Sequence, residues 1–237
     1  MTMKKNANHV SLFTLRLAVA LCLCAKLALC QTGGVYRVLF DGKNLDQWEK
    51  ADGSPAHWKM PDGTLEATGG GDLRTKAAFG DCQLHVEWQT PEQIDPNIMN
   101  RGNSGVFLMG LYEVQIMDSH GKTIYADGIA GSIYGQNPPF ANVSRAAGAW
   151  QSFDIIFYAP RWDGNTLTRQ GHVTVFHNGV LVQSHWPLEG PTRHLSRTSQ
   201  VPHANKLPLS LQAHSSPVRY RNIWIRELPE PEKKEQP

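Results

Sequence analysis

The chain has 237 residues, with 23 basic against 21 acidic side chains and 41% hydrophobic residues, the composition of an ordinary globular protein. The slight basic excess belongs to the first thirty residues, which hold Lys4, Lys5, Arg16 and Lys26 and no acidic residue. The remainder is net acidic, which excludes nucleic acid or an anionic membrane surface as a partner held by bulk charge.

Those thirty residues read as a signal peptide. Lys4 and Lys5 form the positive start, Leu17 to Cys24 the apolar centre, and Ala28-Leu29-Cys30 a small-x-small cleavage site before Gln31. The expected location is therefore periplasmic or extracellular. A lipoprotein anchor at Cys30 is the lesser alternative, because Leu29 is large for the residue before a lipidated Cys. No later stretch approaches the length of a membrane span. Three of the four cysteines lie in this leader, so Cys82 stands alone and neither a disulfide nor a thiolate metal cluster is expected. Residues 31–228 have the length of one domain with a substantial core. Residues 229–237, rich in Pro, Glu and Lys, read as a disordered tail.

In chain order, Tyr36–Phe40 forms a first strand closed by Asp41-Gly42. Trp58–Met60 and Thr64–Thr68 flank Asp62-Gly63 as a hairpin, and Asp72–Lys76 is a short strand. Gln83–Gln89 alternates, with Leu84, Val86 and Trp88 inward. Trp150–Tyr158 is a core strand. Val173–Phe176 and Val180–Gln183 flank Asn178-Gly179, a strong hairpin signal, with His177 at the turn. Leu207–Gln212 and Val218–Leu228 complete the set. Residues 119–149 show little periodicity and many turn formers, too long for a plain connection, and are expected to order over a site. Many short strands with no sustained helical period predict an all-β sandwich.

The centre of the chain is Arg101–Asp118, RGNSGVFLMGLYEVQIMD. A polar turn, Arg101 to Gly105, leads to an apolar run, and then Tyr112-Glu113-Val114-Gln115-Ile116 alternates strictly. Val114 and Ile116 belong to one face of a strand, Glu113 and Gln115 to the other. Asp118 is out of phase with Glu113, and joins it only if a bulge lies at Ile116 to Asp118. A bulge is the favoured arrangement, because an unpaired Asp in an apolar core costs several kcal/mol.

Ten His residues are scattered without zinc-ligand spacing, and the GxSxG serine pattern is absent. No cofactor is expected, although a divalent cation held by Asp and backbone oxygens is compatible with the composition. The carboxylates Glu113 and Asp118, with Asp127 in the following loop, are the candidate acid/base groups. Arg101, Asn103, Gln115, Tyr134, Gln136 and His214 are candidate polar partners. Trp48, Trp162 and Trp186 are candidate sugar-stacking platforms, while Trp58, Trp88, Trp150 and Trp224 fall in strand patterns and are assigned to the core.

These residues together resemble the 3-keto-disaccharide hydrolase domain family. The resemblance runs from about Val35 to Leu228 and rests on Leu39-Phe40-Asp41-Gly42 with Trp48, on Gly80-Asp81 before Leu84-His85-Val86-Glu87-Trp88, and on the central stretch. Tyr134-Gly135-Gln136, Pro138-Pro139, Asn178-Gly179-Val180 and Arg221-Asn222-Ile223-Trp224-Ile225 complete it. It implies a concanavalin A-like jelly roll of two antiparallel sheets, a carbohydrate substrate, and cleavage of glycosides already oxidised at C3. It also implies a layout similar to the laminarinase-type glycosidases, with their E-x-D-x-x-E strand. Here that register reads Glu113-x-Gln115-x-x-Asp118, whose middle Gln and final Asp depart from the pattern and count against a standard two-carboxylate retaining mechanism. A further departure is Leu211-Gln212-Ala213-His214-Ser215, where the family usually has an Asp at the third position. Base-assisted elimination at C2 followed by hydration would suit such a substrate, with Glu113 or Asp118 as base or acid and the other carboxylate supporting, Arg101 as donor to the oxyanion, and Asn103, Gln115, Tyr134, Gln136 and His214 around the sugar. The alternative is a non-catalytic carbohydrate-binding module on the same fold.

Overall fold

The computed structural model describes residues 35–67, 69–93, 95–97, 100–122, 125–194 and 196–229. The expected signal peptide and most of the expected tail lie outside the described residues, as does Thr68. By its contacts the chain divides after Val35, and all the strands belong to the unit Tyr36–Pro237. Among the described residues no helix is long and apolar enough to cross a membrane.

The described strands, in chain order, are β1 (Arg37–Phe40), β2 (Trp48–Lys50), β3 (Leu65–Glu66), β4 (Leu73–Phe79), β5 (Cys82–Gln89), β6 (Ser104–Leu108) and β7 (Tyr112–Ile116). They continue as β8 (Trp150–Tyr158), β9 (Arg161–Asp163), β10 (Thr166–Arg169), β11 (His172–His177), β12 (Val180–Pro187), β13 (Leu207–Leu211) and β14 (Arg219–Glu227). One sheet has the order β1-β14-β5-β8-β11-β12, with β3 also paired to β14; the other has the order β2-β4-β13-β6-β7. All pairings are antiparallel. The two sheets enclose a single core that includes Trp48, Trp58, Trp88, Tyr112, Phe153, Phe157 and Tyr220. This is the jelly-roll sandwich that the strand count and the family resemblance imply.

Alternation explains the layers. Along β5 every second residue is buried, with Leu84, Val86 and Trp88 at 0% exposure. Stripping water from such a face is the main stabilising term, at about 25 cal/mol per Å² of apolar surface. The hairpin between β11 and β12 turns through Asn178 (φ 52°) and Gly179 (φ 80°), both in the left-handed region that a tight two-residue hairpin requires. His177 is not an exposed turn residue. It is fully buried, its Nε2 2.8 Å from Gln151 Oε1, and burial pushes its imidazole pKa down to about 4. The β9–β10 hairpin has no counterpart in the sequence reading, because its strands are short and its turn, Gly164-Asn165, lies between polar residues.

The tryptophans divide differently from the sequence expectation. Trp58 and Trp88 are core, but so is Trp48, 1% exposed, its indole donating to the Leu39 carbonyl at 2.8 Å. Trp150 and Trp224 lie on the outer face of the larger sheet. Trp224 stacks on His85 at 5.3 Å, and the Arg221 guanidinium sits 4.0 Å from the Trp150 ring centre.

Candidate active site

The smaller sheet carries the candidate site on the face turned away from the core. Register places Arg74, Ser210, Phe107 and Glu113 in one row across β4, β13, β6 and β7. In the next row Gly105 pairs with Gln115, and the Gln212 N–H donates to the Gly105 carbonyl at 3.0 Å. Gly105 is the gap in this surface, and the Glu113 side chain lies over it. A methyl group at position 105 would sit 2.9 Å from Glu113 Cγ and Cδ, and closer still to Oε1.

The sequence reading put Glu113 and Gln115 on an exposed face. Both are buried, at 4% and 1% exposure. The cause is the outer edge of β7, which is not free. The Gln115 N–H donates to the Ser132 carbonyl at 3.1 Å, the Tyr134 N–H to the Glu113 carbonyl at 3.1 Å, and the Glu113 N–H to Thr192 Oγ1 at 3.0 Å. Two irregular segments, around 131–137 and 190–197, thus cover the edge strand and wall in its polar side chains. Of the long loop after Asp118, the part around 131–137 is what lies against β7.

Between these walls lies a cavity of about 310 Å³, lined by Asn103, Phe107, Glu113, Gln115, Tyr134, Thr192, Arg193, His194, Gln212 and His214. Of the sequence candidates it gathers Glu113, Asn103, Gln115, Tyr134 and His214. The Gln115 amide, in the orientation that satisfies both its ends, donates to Glu113 Oε1 at 2.8 Å and to the Ser104 carbonyl at 3.2 Å. The Glu113 carboxyl has no cationic partner among the described residues. Burial raises its pKa to about 8, with repulsion from Asp72 adding to the effect. Tyr134 Oη lies 3.0 Å from His194 Nδ1 and accepts from Tyr125 Oη at 3.3 Å. Burial pushes the Tyr134 phenol up, so it is a neutral donor at ordinary pH.

Four candidates stand elsewhere: Asp118, Arg101, Gln136 and Asp127, the last in the turn Ala126–Gly128. Asp118 and Arg101 do not line the cavity and pair with each other, Oδ2 lying 3.1 Å from Nη2 and 3.2 Å from Nε. No bulge interrupts β7: its ladder with β6 is regular from Leu108–Tyr112 to Ser104–Ile116. The slip comes just beyond it and on the other segment, where the Asp118 N–H bonds to the Arg101 carbonyl rather than to Gly102, whose φ is 62°. Asp118 therefore stays in phase with Val114 and Ile116, and the guanidinium supplies the pairing that its burial demands. Gln136 is buried but structural. Its amide donates to the Gly190 carbonyl at 2.9 Å and accepts from the Glu189 N–H at 2.9 Å, fixing the two covering segments to each other. None of the tryptophans lines the cavity; its aromatic walls are Phe107 and Tyr134.

Sequence reasoning missed Arg193, His194, Thr192, Gln212 and Asp72. The first three sit in an aperiodic segment with no motif. Asp72 precedes the buried Leu73 and so shares the face of Arg74. Its Oδ1 accepts from the Ala213 N–H at 2.8 Å, and burial raises its pKa. Among the described residues no three His, Cys, Asp or Glu side chains come together as a metal-ligand set.

A protein from Parabacteroides distasonis ATCC 8503, provisionally named a glycosyl hydrolase, is 42% identical to this chain. It superposes with a TM-score of 0.78 over 81% of this chain and 84% of that one. Two further crystal structures of similarly named proteins from the same organism share the fold. One has 20% identity and a TM-score of 0.61 over 83% of this chain and 94% of that one. The other has 22% identity and a TM-score of 0.60 over 82% of this chain and 100% of that one. No curated protein sequence matches. The model of the 3-keto-alpha-glucoside-1,2-lyase-like domain matches residues 35–226, and to that family this chain belongs.

Proposed function

We propose that this protein cleaves the glycosidic bond of 3-keto-glycosides by elimination across C1 and C2 followed by hydration. The observation that carries the reading is Glu113, a buried carboxyl with no cationic partner among the described residues, lifted to a pKa of about 8 on the floor of a polar cavity. A retaining or inverting glycosidase needs two carboxylates across the bond, and Glu113 is the one carboxylate among the residues lining this cavity. Elimination needs a single base whose pKa lies near the working pH.

A ketone at C3 acidifies the hydrogen on C2. Glu113 takes that proton, and the electron pair moves into the enolate, whose oxygen at C3 needs a donor. Arg193 is the cation lining the cavity and takes the role that the sequence reading gave to Arg101. The C1–O bond then breaks, and the departing oxygen receives a proton from the Tyr134–His194 pair. Water returns its oxygen to C1 and a proton to C2, leaving a 3-keto sugar. Asn103, Gln115, Gln212 and His214 hold the hydroxyls.

The binding-module alternative rests on Ala213 replacing an Asp and on the altered acidic register Glu113-x-Gln115-x-x-Asp118. Asp72 weakens it, because its carboxylate stands against the Ala213 backbone. The relative at 42% identity, named for glycoside hydrolysis, also supports an enzyme acting on glycosides. Incubation with 3-keto-trehalose or an aryl 3-keto-glucoside should release the second sugar or the phenol. Binding of intact sugars by the folded protein without release from either substrate would favour the module instead.

A further inference from the structure

A second cavity, of about 220 Å³, adjoins the first and is lined by Tyr125, Asp127, Tyr134, Gly135, Ser196 and Arg197. Tyr134 lines both. Its hydroxyl meets His194 on one side and Tyr125 on the other, with the two tyrosine rings 6.4 Å apart and edge-on. The two spaces thus share the Tyr134 side chain, at the place where the proposed reaction needs its proton donor.

The second cavity carries the groups that hold a sugar. Tyr125 is 40% exposed and brings an aromatic ring to the lining. Asp127 is half-buried in the short turn Ala126–Gly128, tied down where its carbonyl accepts the Gly135 N–H at 3.0 Å. Its carboxylate has neither a hydrogen-bond donor nor a cation among the described residues, which leaves both oxygens to accept from hydroxyls. Arg197 is anchored through Nη1 to both oxygens of Glu189, at 3.0 and 3.1 Å, and through Nη2 to the Gln136 carbonyl at 3.1 Å. Among the described residues its Nε–H has no acceptor, which leaves it as a donor for a ligand.

We infer that this cavity is the subsite for the second sugar of a 3-keto-disaccharide, the one that departs. The inference rests on the reaction proposed above. The oxidised ring occupies the cavity over Glu113, the departing ring lies between Tyr125, Asp127 and Arg197, and the bridging oxygen sits at Tyr134. Together the two volumes fall within the ~300–1,000 Å³ usual for small-molecule sites.

The test compares kcat/KM for 3-keto-trehalose with that for methyl 3-keto-α-glucoside, whose leaving group is too small to reach the subsite. Asp127→Ala should lower the disaccharide value about tenfold more than the methyl glucoside value, and Arg197→Ala should do the same. Equal losses on the two substrates, or no loss on either, overturn the subsite while leaving the reaction standing. If the wild-type protein cleaves neither substrate, the reaction has failed, and calorimetry with trehalose and methyl α-glucoside reads the subsite alone. Tighter trehalose binding that Asp127→Ala abolishes supports the subsite, and equal affinities, or no trehalose binding, overturn it.

Discussion

Glu113 was legible as a candidate from its place on an alternating strand, but its protonation was not. Its raised pKa depends on burial by the segments around 131–137 and 190–197, which come from far along the chain. That pKa sets two pH dependences. As the base, Glu113 must be ionised, so kcat/KM should rise tenfold per pH unit and level off near pH 8. A profile flat from pH 6 to 9 would remove Glu113 from that role. Stability runs the opposite way. The folded pKa lies above the ordinary value of 4.5, so the Glu113 contribution is fully present below pH 4.5 and is lost as pH rises through about 8. The loss is about 1.4 kcal/mol per pH unit in that window. Glu113→Gln, which keeps the neutral shape, should therefore be inactive, yet gain in Tm relative to the wild type as pH rises from 5 to 8. Thermal melts at the two pH values check this. Asp118 is the contrasting residue. Asp118→Asn leaves a largely buried guanidinium without its counter-charge and should cost about 2–4 kcal/mol of stability. A denaturant titration that finds the variant as stable as the wild type would count against the pairing.

At the scale of elements, the floor of the site is two rows of side chains fixed by strand register, and its walls are loops. The floor could be read in part, since the period of two assigned Glu113 and Gln115 to one face. What could not be read was which strand would lie beyond β6, because pairing β6 with β13 joins residues roughly a hundred positions apart. Gln212 and Asp72 reach the site only through the pairings of β13 with β6 and β4, whereas Phe107 is set opposite Glu113 by the β6–β7 ladder. Arg193 and His194 enter through Thr192, whose hydroxyl accepts the Glu113 N–H. No local pattern marks such a contact. Gly105 gives an element-level prediction. Gly105→Ala places a methyl group against the Glu113 carboxyl without asking for a forbidden φ, since Gly105 is not among the left-handed residues. The strand should survive, while kcat falls at least tenfold as the base is pushed off its position. Circular dichroism with steady-state kinetics separates this from unfolding; a variant with unchanged kcat would show that Glu113 has room to move without consequence.

For the whole molecule, strand count and alternation were sufficient to identify a sandwich. The core followed because burial of Leu84, Val86 and Trp88 is a local pattern repeated across both sheets. Trp48 and Trp224 departed from their expected places because one short strand and one irregular pairing decide them. β14 slips against β5 between Arg221 and Trp224, at Asn222 with φ 46°, and aims Trp224 outward. The sandwich in turn explains why the site has walls: an edge strand that would otherwise be exposed is capped by the loops that bring Tyr134 and His194 into the cavity with Glu113. The central claim, that bond cleavage proceeds by removal of the C2 proton, is tested most directly in deuterium oxide. A 3-keto-glucoside should give a 3-keto sugar carrying one deuterium at C2 from the earliest time points, faster than exchange in a protein-free control. Release of the leaving group with hydrogen retained at C2 would contradict the elimination and the role of Glu113 with it.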